Sequence, residues 1–219
     1  MFRITTLYRA TVLIAALLCA SFAYSHVPYI EDKDYPEGSD FVITDVDQSK
    51  AFYAYLDEDD VDGFEIVLEE PGRIYVNSLI PFCREYANYD VNLALIGPGL
   101  DAPEAELPVE LAEGQGAIVL PARADDWAER PYMYEMFSNR RYFDGPRYTL
   151  RDAPAATYRL IAWHTDGTPG DYIAIVGRAE SFGPSDMKLA FINTPIIRRM
   201  DEMKSSCESE GNFAAWFDP

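Results

Sequence analysis

Short segments in which apolar and polar residues alternate constrain the fold of this chain more than any other feature. The side chains of a strand point alternately to its two faces, so alternation over a few residues indicates strands. Turn residues close these segments at residues 70–72 and 97–99, and the loop 166–170 joins two of them. The predicted strands are residues 41–44, 51–56, 63–68, 73–80, 92–96, 109–111, 116–120, 157–163 and 171–176. Many short strands separated by turns predict an all-β fold, an antiparallel β-sandwich.

The first 25 residues have the three parts of an export signal in the expected order. Arg3 and Arg9 supply the positive start, residues 12–18 the apolar centre, and Ala23-Tyr24-Ser25 a small-x-small cleavage pattern. Cleavage at the end of this pattern makes His26 the first residue, and cleavage two residues earlier is the alternative. The apolar run is shorter than the roughly 20 residues that a spanning helix needs. We therefore expect a periplasmic or extracellular protein with no transmembrane segment after cleavage.

The length and residue pattern of the chain predict one main domain after the signal. We assign residues 1–25 to the signal peptide, 26–182 to the β-sandwich and 183–219 to a C-terminal tail with short helices. In the tail, Ser185 is expected to open a short helix and Pro195 to end it. Beyond this proline, the isoleucines and methionines of residues 196–203 fall on one helical face, which predicts that the tail packs against another surface.

The charge balance limits the classes of partner. The sequence has 37 acidic and 18 basic residues, a net charge of −19. A surface this acidic repels the phosphates of nucleic acids and anionic lipids. We therefore expect no nucleic-acid partner, and the scarcity of lysine beside many acidic residues also suits a saline environment.

Five strand-and-turn motifs occur in a characteristic order along the chain. They are Asp62-Gly63-Phe64-x-Ile66, Gly72-Arg73-Ile74-x-Val76, Asn92-Leu93-Ala94-Leu95, Pro154-Ala155-Ala156-Thr157-Tyr158-x-Leu160 and Gly170-Asp171-Tyr172-x-Ala174-Ile175. This layout resembles the pre-peptidase C-terminal domains, the jelly-roll-like modules appended to secreted bacterial peptidases. Those modules are accessory and non-catalytic, so the resemblance implies a role in binding or solubility.

A second resemblance extends over nearly all of the chain after the signal. The matching stretches are His26-Val27-Pro28, Lys50 to Leu56, Arg73 to Val76 with Leu79-Ile80-Pro81, Leu93 to Gly99, and Tyr134-Glu135-x-Phe137. They are similar to a group of uncharacterised secreted proteins of archaea and bacteria. The group carries no established activity, so this resemblance implies a secreted β-sandwich and leaves the function open.

Two cysteines, Cys83 and Cys207, remain once the signal is removed. Disulfides persist outside the cytoplasm, so a bond between them would tie the tail to the domain, and two free thiols are the alternative. The sequence has no CxxC pair and no Cys/His cluster at zinc spacing, which argues against redox or zinc chemistry.

The two histidines that follow the signal suggest a copper site. If His26 is the first residue, its amino group and Nδ1 can chelate one metal ion, and His164 would supply a third nitrogen, as in a histidine brace. Nitrogen ligands in a near-planar set suit Cu(II). The alternative is that His26 is an arbitrary first residue and that His164 is an ordinary hydrogen-bonded residue at a strand end.

Aromatic and arginine residues are concentrated between residues 127 and 148, which we interpret as a long ordered connection. Aromatic faces beside arginine side chains can hold a sugar or a carboxylated chain. The alternative is that the rings cover the core and the arginines neutralise nearby carboxylates. The candidate ligand-binding residues are Trp127, Tyr132, Tyr134, Glu135, Arg140 and Arg141.

No catalytic motif is found in the sequence. There is no G-x-S-x-G nucleophile motif. The acidic run 57–63 does not match the EF-hand pattern, because Val61 and Asp62 occupy its fifth and sixth positions.

The leading hypothesis is an exported, non-catalytic binding or accessory protein of the cell envelope, whose partner is an envelope protein or a glycan. The alternatives are a copper-binding protein, with no other cofactor expected, and a carbohydrate-binding module.

Overall fold

The computed structural model describes residues 26–35, 38–83, 86–89, 91–122, 129–164 and 166–199, and these form two packed β-sheets and one helix. The six-stranded sheet has the spatial order β1 (Val27–Ile30), β3 (Lys50–Leu56), β11 (Gly170–Val176), β5 (Gly72–Pro81), β9 (Arg140–Ala153), β8 (Tyr132–Glu135). The five-stranded sheet has the order β2 (Phe41–Ile43), β4 (Asp62–Leu68), β10 (Ala156–Trp163), β6 (Asn92–Pro98), β7 (Gln115–Leu120). The predicted all-β sandwich is confirmed.

One edge strand of each sheet departs from the predicted antiparallel arrangement. Strand β1 runs parallel to β3, and β2 runs parallel to β4, whereas every other pairing is antiparallel. Parallel neighbours need a crossover connection, and here each pair is separated by other parts of the chain. Both sheets are therefore mixed.

The core lies between the two sheets and follows from the alternation of the strands. In β3, Phe52, Ala54 and Leu56 point inward, while Ala51 and Tyr53 point to the opposite face of the sheet. Both faces of this strand are buried, which is why it reads as a nearly continuous apolar run. The six-stranded sheet therefore has a second apolar surface, which needs a cover of its own.

Helix α1 (Pro184–Ile197) supplies that cover. Its buried residues are Ala190, Asn193 and Ile197, and Ile197 joins the apolar cluster on the outer face of the six-stranded sheet. The side-chain amide of Asn193 donates to the backbone oxygen of Pro28 at 2.9 Å, which ties the helix to β1. No helix among the described residues is long and apolar enough to cross a membrane.

The prediction that Pro195 ends the helix is wrong. The helix continues two residues further, to Ile197. A proline removes one backbone donor and its ring crowds the preceding turn. The hydroxyl of Thr194, just before the proline, donates to the backbone oxygen of Ala190 at 2.6 Å. The expected face formed with Met200 and Met203 lies outside the described residues.

Two other sequence interpretations are also wrong. Residues 109–111 form no strand, although Val109 and Leu111 still pack on the outer face of the five-stranded sheet. The segment 132–148 is not a long connection, because it contains β8, a four-residue turn and the first part of β9. Asn139 in that turn has a φ of 61°, a left-handed conformation that asparagine tolerates better than most residues.

Candidate functional site

The outer face of the six-stranded sheet is divided into two halves. We call the half beneath α1 the covered half; it is apolar and consists of Ile30, Ala51, Tyr53, Leu79, Tyr142, Ile173 and Ile197. The remainder, which we call the groove, is a depression of about 360 Å³ lined by both polar and apolar groups. Its main lining residues are His26, Tyr75, Asn77, Asp144, Arg147 and Arg178. The groove is within the size range of ligand sites in proteins.

A second depression of about 330 Å³ continues the groove along the sheet. The two depressions share Tyr75, Arg147 and Arg178, and the second also includes Thr149. The combined surface is elongated, which suits an extended ligand better than a compact one.

A β-bulge in β9 places two charged residues of the groove on the same face. Asp144 pairs with Leu79 and Arg147 with Asn77, so three steps along β9 oppose two steps along β5. In a regular strand, residues three apart point to opposite faces. The bulge changes this relation, and the carboxylate of Asp144 lies 3.0 Å from the guanidinium of Arg147.

The residues between this pair explain why the bulge forms there. A Cβ atom on Gly145 would lie 2.3 Å from Oγ of Ser78 and 2.7 Å from its backbone oxygen, so only glycine fits. Pro146 has no N–H to donate, and proline inside a sheet is tolerated at bulges and edges. Bulges often re-aim side chains next to binding sites.

Two guanidinium groups lie close to Tyr75. The guanidinium carbon of Arg178 lies 5.0 Å from the centre of the ring, a cation–π contact. Burial raises the pKa of the Tyr75 phenol, and the nearby charges of Arg178 and Arg147 oppose that shift. The phenol is therefore neutral near pH 7 and able to donate a hydrogen bond.

Arg178 differs from Arg147 in having no acidic partner. Arg147 is paired with Asp144, whereas Arg178 makes no ion pair within the described part of the chain. Its side chain is exposed at the groove. In a chain with a net charge of −19, this places a positive charge where it can meet an acidic ligand.

Asn77 supplies a buried acceptor in the groove. The residue is only 4% exposed, and its side-chain oxygen has no hydrogen-bond partner among the described residues. Its cross-strand neighbours are Ile175 on one side and Arg147 on the other, so it lies in the middle of the outer face. Buried polar atoms without a partner are uncommon and call for a specific explanation; a ligand N–H or O–H would satisfy this one.

His26 adds a further acceptor. The hydroxyl of Ser49 donates to the backbone oxygen of Gly177 at 3.0 Å, so the 2.5 Å contact between Ser49 and Nδ1 of His26 needs Nδ1 as the donor. Burial lowers the pKa of His26, an effect partly opposed by the carboxylate of Glu135. The imidazole is therefore neutral at neutral pH, with Nε2 left as an acceptor.

The structure does not bring the two predicted copper ligands together. His26 contacts Ser49, just before β3, whereas Nε2 of His164 contacts the backbone oxygen of Asp57, just after β3, at 2.9 Å. Eight residues of extended chain separate these points by about 25 Å. In addition, Nδ1 of His26 is occupied by Ser49. A brace from both histidines does not fit, and among the described residues there is no cluster of three His, Cys, Asp or Glu side chains suited to a metal ion.

The predicted ligand-binding residues have different positions. Tyr132 lines the groove and is 49% exposed, with the guanidinium of Arg141 5.4 Å from its ring centre. Tyr134 is 53% exposed and its hydroxyl contacts the side-chain oxygen of Asn139. Trp127 lies outside the described residues.

Glu135 and Arg140 hold the covered half together. The carboxylate of Glu135 accepts from the hydroxyl of Tyr53 at 2.7 Å and from the backbone N–H groups of Phe137 at 2.8 Å and Ser138 at 2.7 Å. Arg140 donates to the backbone oxygens of Ile197, at 3.4 Å, and Arg198, at 3.2 Å, where a helix leaves carbonyl groups unpaired. Both side chains are thus engaged by the protein itself.

Cys83 is disulfide-bonded. Its partner lies outside the described residues, so the pairing with Cys207 stays a prediction.

The sequence interpretation missed Tyr75, Asn77 and Arg178 as site residues. All three lie in or just after apolar strands. The alternation of a strand shows that such residues point away from the core, but it does not show that they form a site. A weak signal was present in Asp144-Gly145-Pro146-Arg147, because glycine and proline inside a strand pattern indicate a bulge.

Fold and site together define a two-sheet β-sandwich with a groove on the outer face of its six-stranded sheet. No protein-family model matches the chain, and no curated protein sequence matches it. Among solved structures, it is similar to PliG of Salmonella Typhimurium, a periplasmic inhibitor of g-type lysozyme, with 13% identity, a TM-score of 0.34 and coverage of 64% of this chain and 98% of that one. PliG of Aeromonas hydrophila, also a periplasmic inhibitor of g-type lysozyme, gives 10% identity, a TM-score of 0.33 and coverage of 63% and 98%. Similarity at this level carries no information about what this chain binds.

Proposed function

We propose that this chain is an exported binding protein of the cell envelope that acts without catalysis and holds its ligand in the groove. The export signal read from residues 1–25 supports the location. The resemblance to secreted accessory β-sandwich modules supports a role in binding.

The observation that carries the proposal is the buried, unsatisfied side-chain oxygen of Asn77, a residue that lines an open depression. Leaving such an atom buried without a partner costs about 1–3 kcal/mol. A ligand that donates to it recovers this cost on binding. The neighbouring Tyr75, Arg147 and Arg178 provide the other polar contacts.

A binding screen with the mature protein tests the proposal. Small saccharides, peptides and metabolites would be screened by thermal shift, and the affinity of each hit measured by calorimetry for the wild type and for Asn77→Leu. The matched control is Phe191→Ser, on the exposed side of α1 away from the groove. We expect hits whose affinity falls at least fivefold in N77L and is unchanged in F191S.

Three results would overturn the proposal. They are the absence of any hit, hits that bind N77L as tightly as the wild type, and conversion of a bound compound during incubation, detected by mass spectrometry. N-terminal sequencing of secreted material tests the location: a chain that begins at Tyr24 or His26 supports export, and intact residues 1–25 contradict it.

A further inference from the structure

We infer that the ligand of the groove is a carboxylated oligosaccharide, whose acid group is bound by Arg178 and whose hydroxyl groups donate to Asn77. The inference rests on the proposed function and adds the chemical class of the ligand. Three independent features of the groove support it.

The first feature is the arrangement of positive charge. Arg178 lies on the Tyr75 ring with no acidic partner among the described residues, and Arg147 is close to the same tyrosine. A guanidinium group presents parallel donors that match a carboxylate. The phenol of Tyr75 lies in the same lining as both arginines.

The second feature is a limit on the charge of the ligand. Asp144 lies in the wall of the groove and remains paired with Arg147, and Glu180 also lines the groove. A group with two negative charges, such as a phosphate monoester, would meet both carboxylates. A singly charged carboxylate gains the guanidinium contact of Arg178 with less repulsion.

The third feature is the presence of acceptors beside the donors. The oxygen of Asn77 has no donor among the described residues, and a carboxylate has none to give. Hydroxyl groups close to the acid group satisfy this need. The lining combines polar side chains with the apolar surfaces of Ile175, Met133 and the tyrosines, and a sugar has both hydroxyl groups and apolar ring faces to match it.

The shape of the surface favours an oligosaccharide over a single sugar. The depressions of about 360 Å³ and about 330 Å³ adjoin at Tyr75. The half-exposed ring of Tyr132 at one side of the groove adds aromatic surface that a sugar ring can contact.

Calorimetric titration of the full mature chain with tri-galacturonic acid tests the inference, with the fully methyl-esterified trimer as the matched neutral probe. We expect the acid to bind at least tenfold more tightly than the ester. Arg178→Gln should remove most of that difference while leaving the affinity for the ester unchanged. Lys188→Gln, which removes a positive charge from the exposed side of α1, should change neither value.

A second variant, which is expected to bind the acid more tightly, controls for a loss of affinity caused by misfolding. Asp144→Asn keeps the size of the side chain but removes the charge that neutralises Arg147. We expect it to bind the acid about threefold to tenfold more tightly, with the affinity for the ester unchanged.

The outcomes distinguish this inference from the proposed function. Equal binding of acid and ester, with both weakened in N77L, overturns carboxylate recognition but leaves the groove as a binding site. Binding of the peptide N-acetyl-Gly-Gly-Tyr as its free acid, but not of the saccharide, overturns the saccharide class. If neither saccharide nor peptide binds, the inference fails, and the wider screen then decides separately on the proposed function.

Discussion

The two halves of the outer sheet face contrast in how their polar groups are satisfied. In the covered half, Glu135 accepts three hydrogen bonds, and Arg140 caps the end of α1. In the groove, Asn77 has a buried oxygen without a partner and Arg178 has no counter-ion among the described residues. The same strands pass beneath both halves. The polar groups of the covered half are thus satisfied within the protein, whereas the groove keeps polar groups that no described residue engages.

The largest expected effect is in the covered half at Glu135, which is 3% exposed. Glu135→Ala removes the acceptor of the Tyr53 hydroxyl and of two backbone N–H groups. We expect a loss of about 3 kcal/mol in the free energy of unfolding, measured by urea denaturation. Glu135→Gln, which keeps an oxygen acceptor, should lose less. A loss below about 1 kcal/mol for the alanine variant would show that these bonds contribute little.

Two alanine substitutions in α1 compare its buried side with its exposed side. Ile197 is fully buried against the sheet, whereas Phe191 is 83% exposed. We expect Ile197→Ala to cost about 2–3 kcal/mol because it leaves a cavity over the covered half. Phe191→Ala should change stability by no more than about 0.5 kcal/mol. Equal effects in thermal or chemical denaturation would mean that the helix is not held by its buried side.

The pH dependence of stability should arise away from both halves. Glu31 follows β1 near Tyr35 and Asp62 of the core, where burial and the neighbouring carboxylate of Asp62 raise its pKa to about 8. An unfolded glutamate has a pKa of about 4.3. The proton retained by the folded state therefore stabilises it fully below that value, and the stabilisation is lost as the pH rises through 8.

Urea denaturation at several pH values measures this effect. We expect Glu31 to lower the free energy of unfolding by on the order of 2 kcal/mol between pH 5 and pH 9. Glu31→Gln, which stays neutral and can still accept from the backbone N–H of Tyr55, should flatten the decline. The same slope in wild type and variant would assign the pH dependence to other groups.

The smallest effect on stability is expected in the groove itself. Arg178→Gln removes an exposed cation–π contact and no ion pair, so the free energy of unfolding should change by no more than about 0.5 kcal/mol. A loss above about 1 kcal/mol would mean that Arg178 supports the fold. The contrast between the halves would then disappear.

Alternating residues and short apolar runs were enough to predict the central strands of both sheets. Strands β4, β5 and β10 fall in alternating segments, and β6 and β11 fall in continuous apolar runs followed by glycine or proline. Strand β1 was missed because it has only four residues, one of them Pro28. Strand β9 was missed because Gly145 and Pro146 resemble the end of a strand, whereas here they form a bulge inside it.

The groove could not be predicted from the sequence, because only strand pairing brings its residues together. Asn77 and Arg147 are neighbours only because of the register between β5 and β9, and Arg178 meets Tyr75 only after β11 has paired with β5. Nothing in a local pattern encodes these pairings. The prediction for the two histidines failed in the opposite way. His26 and His164 were expected to share one metal site because both are histidines, but they lie at opposite ends of β3.

The bond between Asn193 and Pro28 joins residues 165 positions apart in the chain. A chain that is made from its N-terminus must therefore present β1 long before α1 is available to pack on it. Until then, the isoleucines and tyrosines of the outer face stay open to water and to other chains. We expect this interval to be the stage of folding at which the protein is most prone to aggregate and at which a chaperone would matter most.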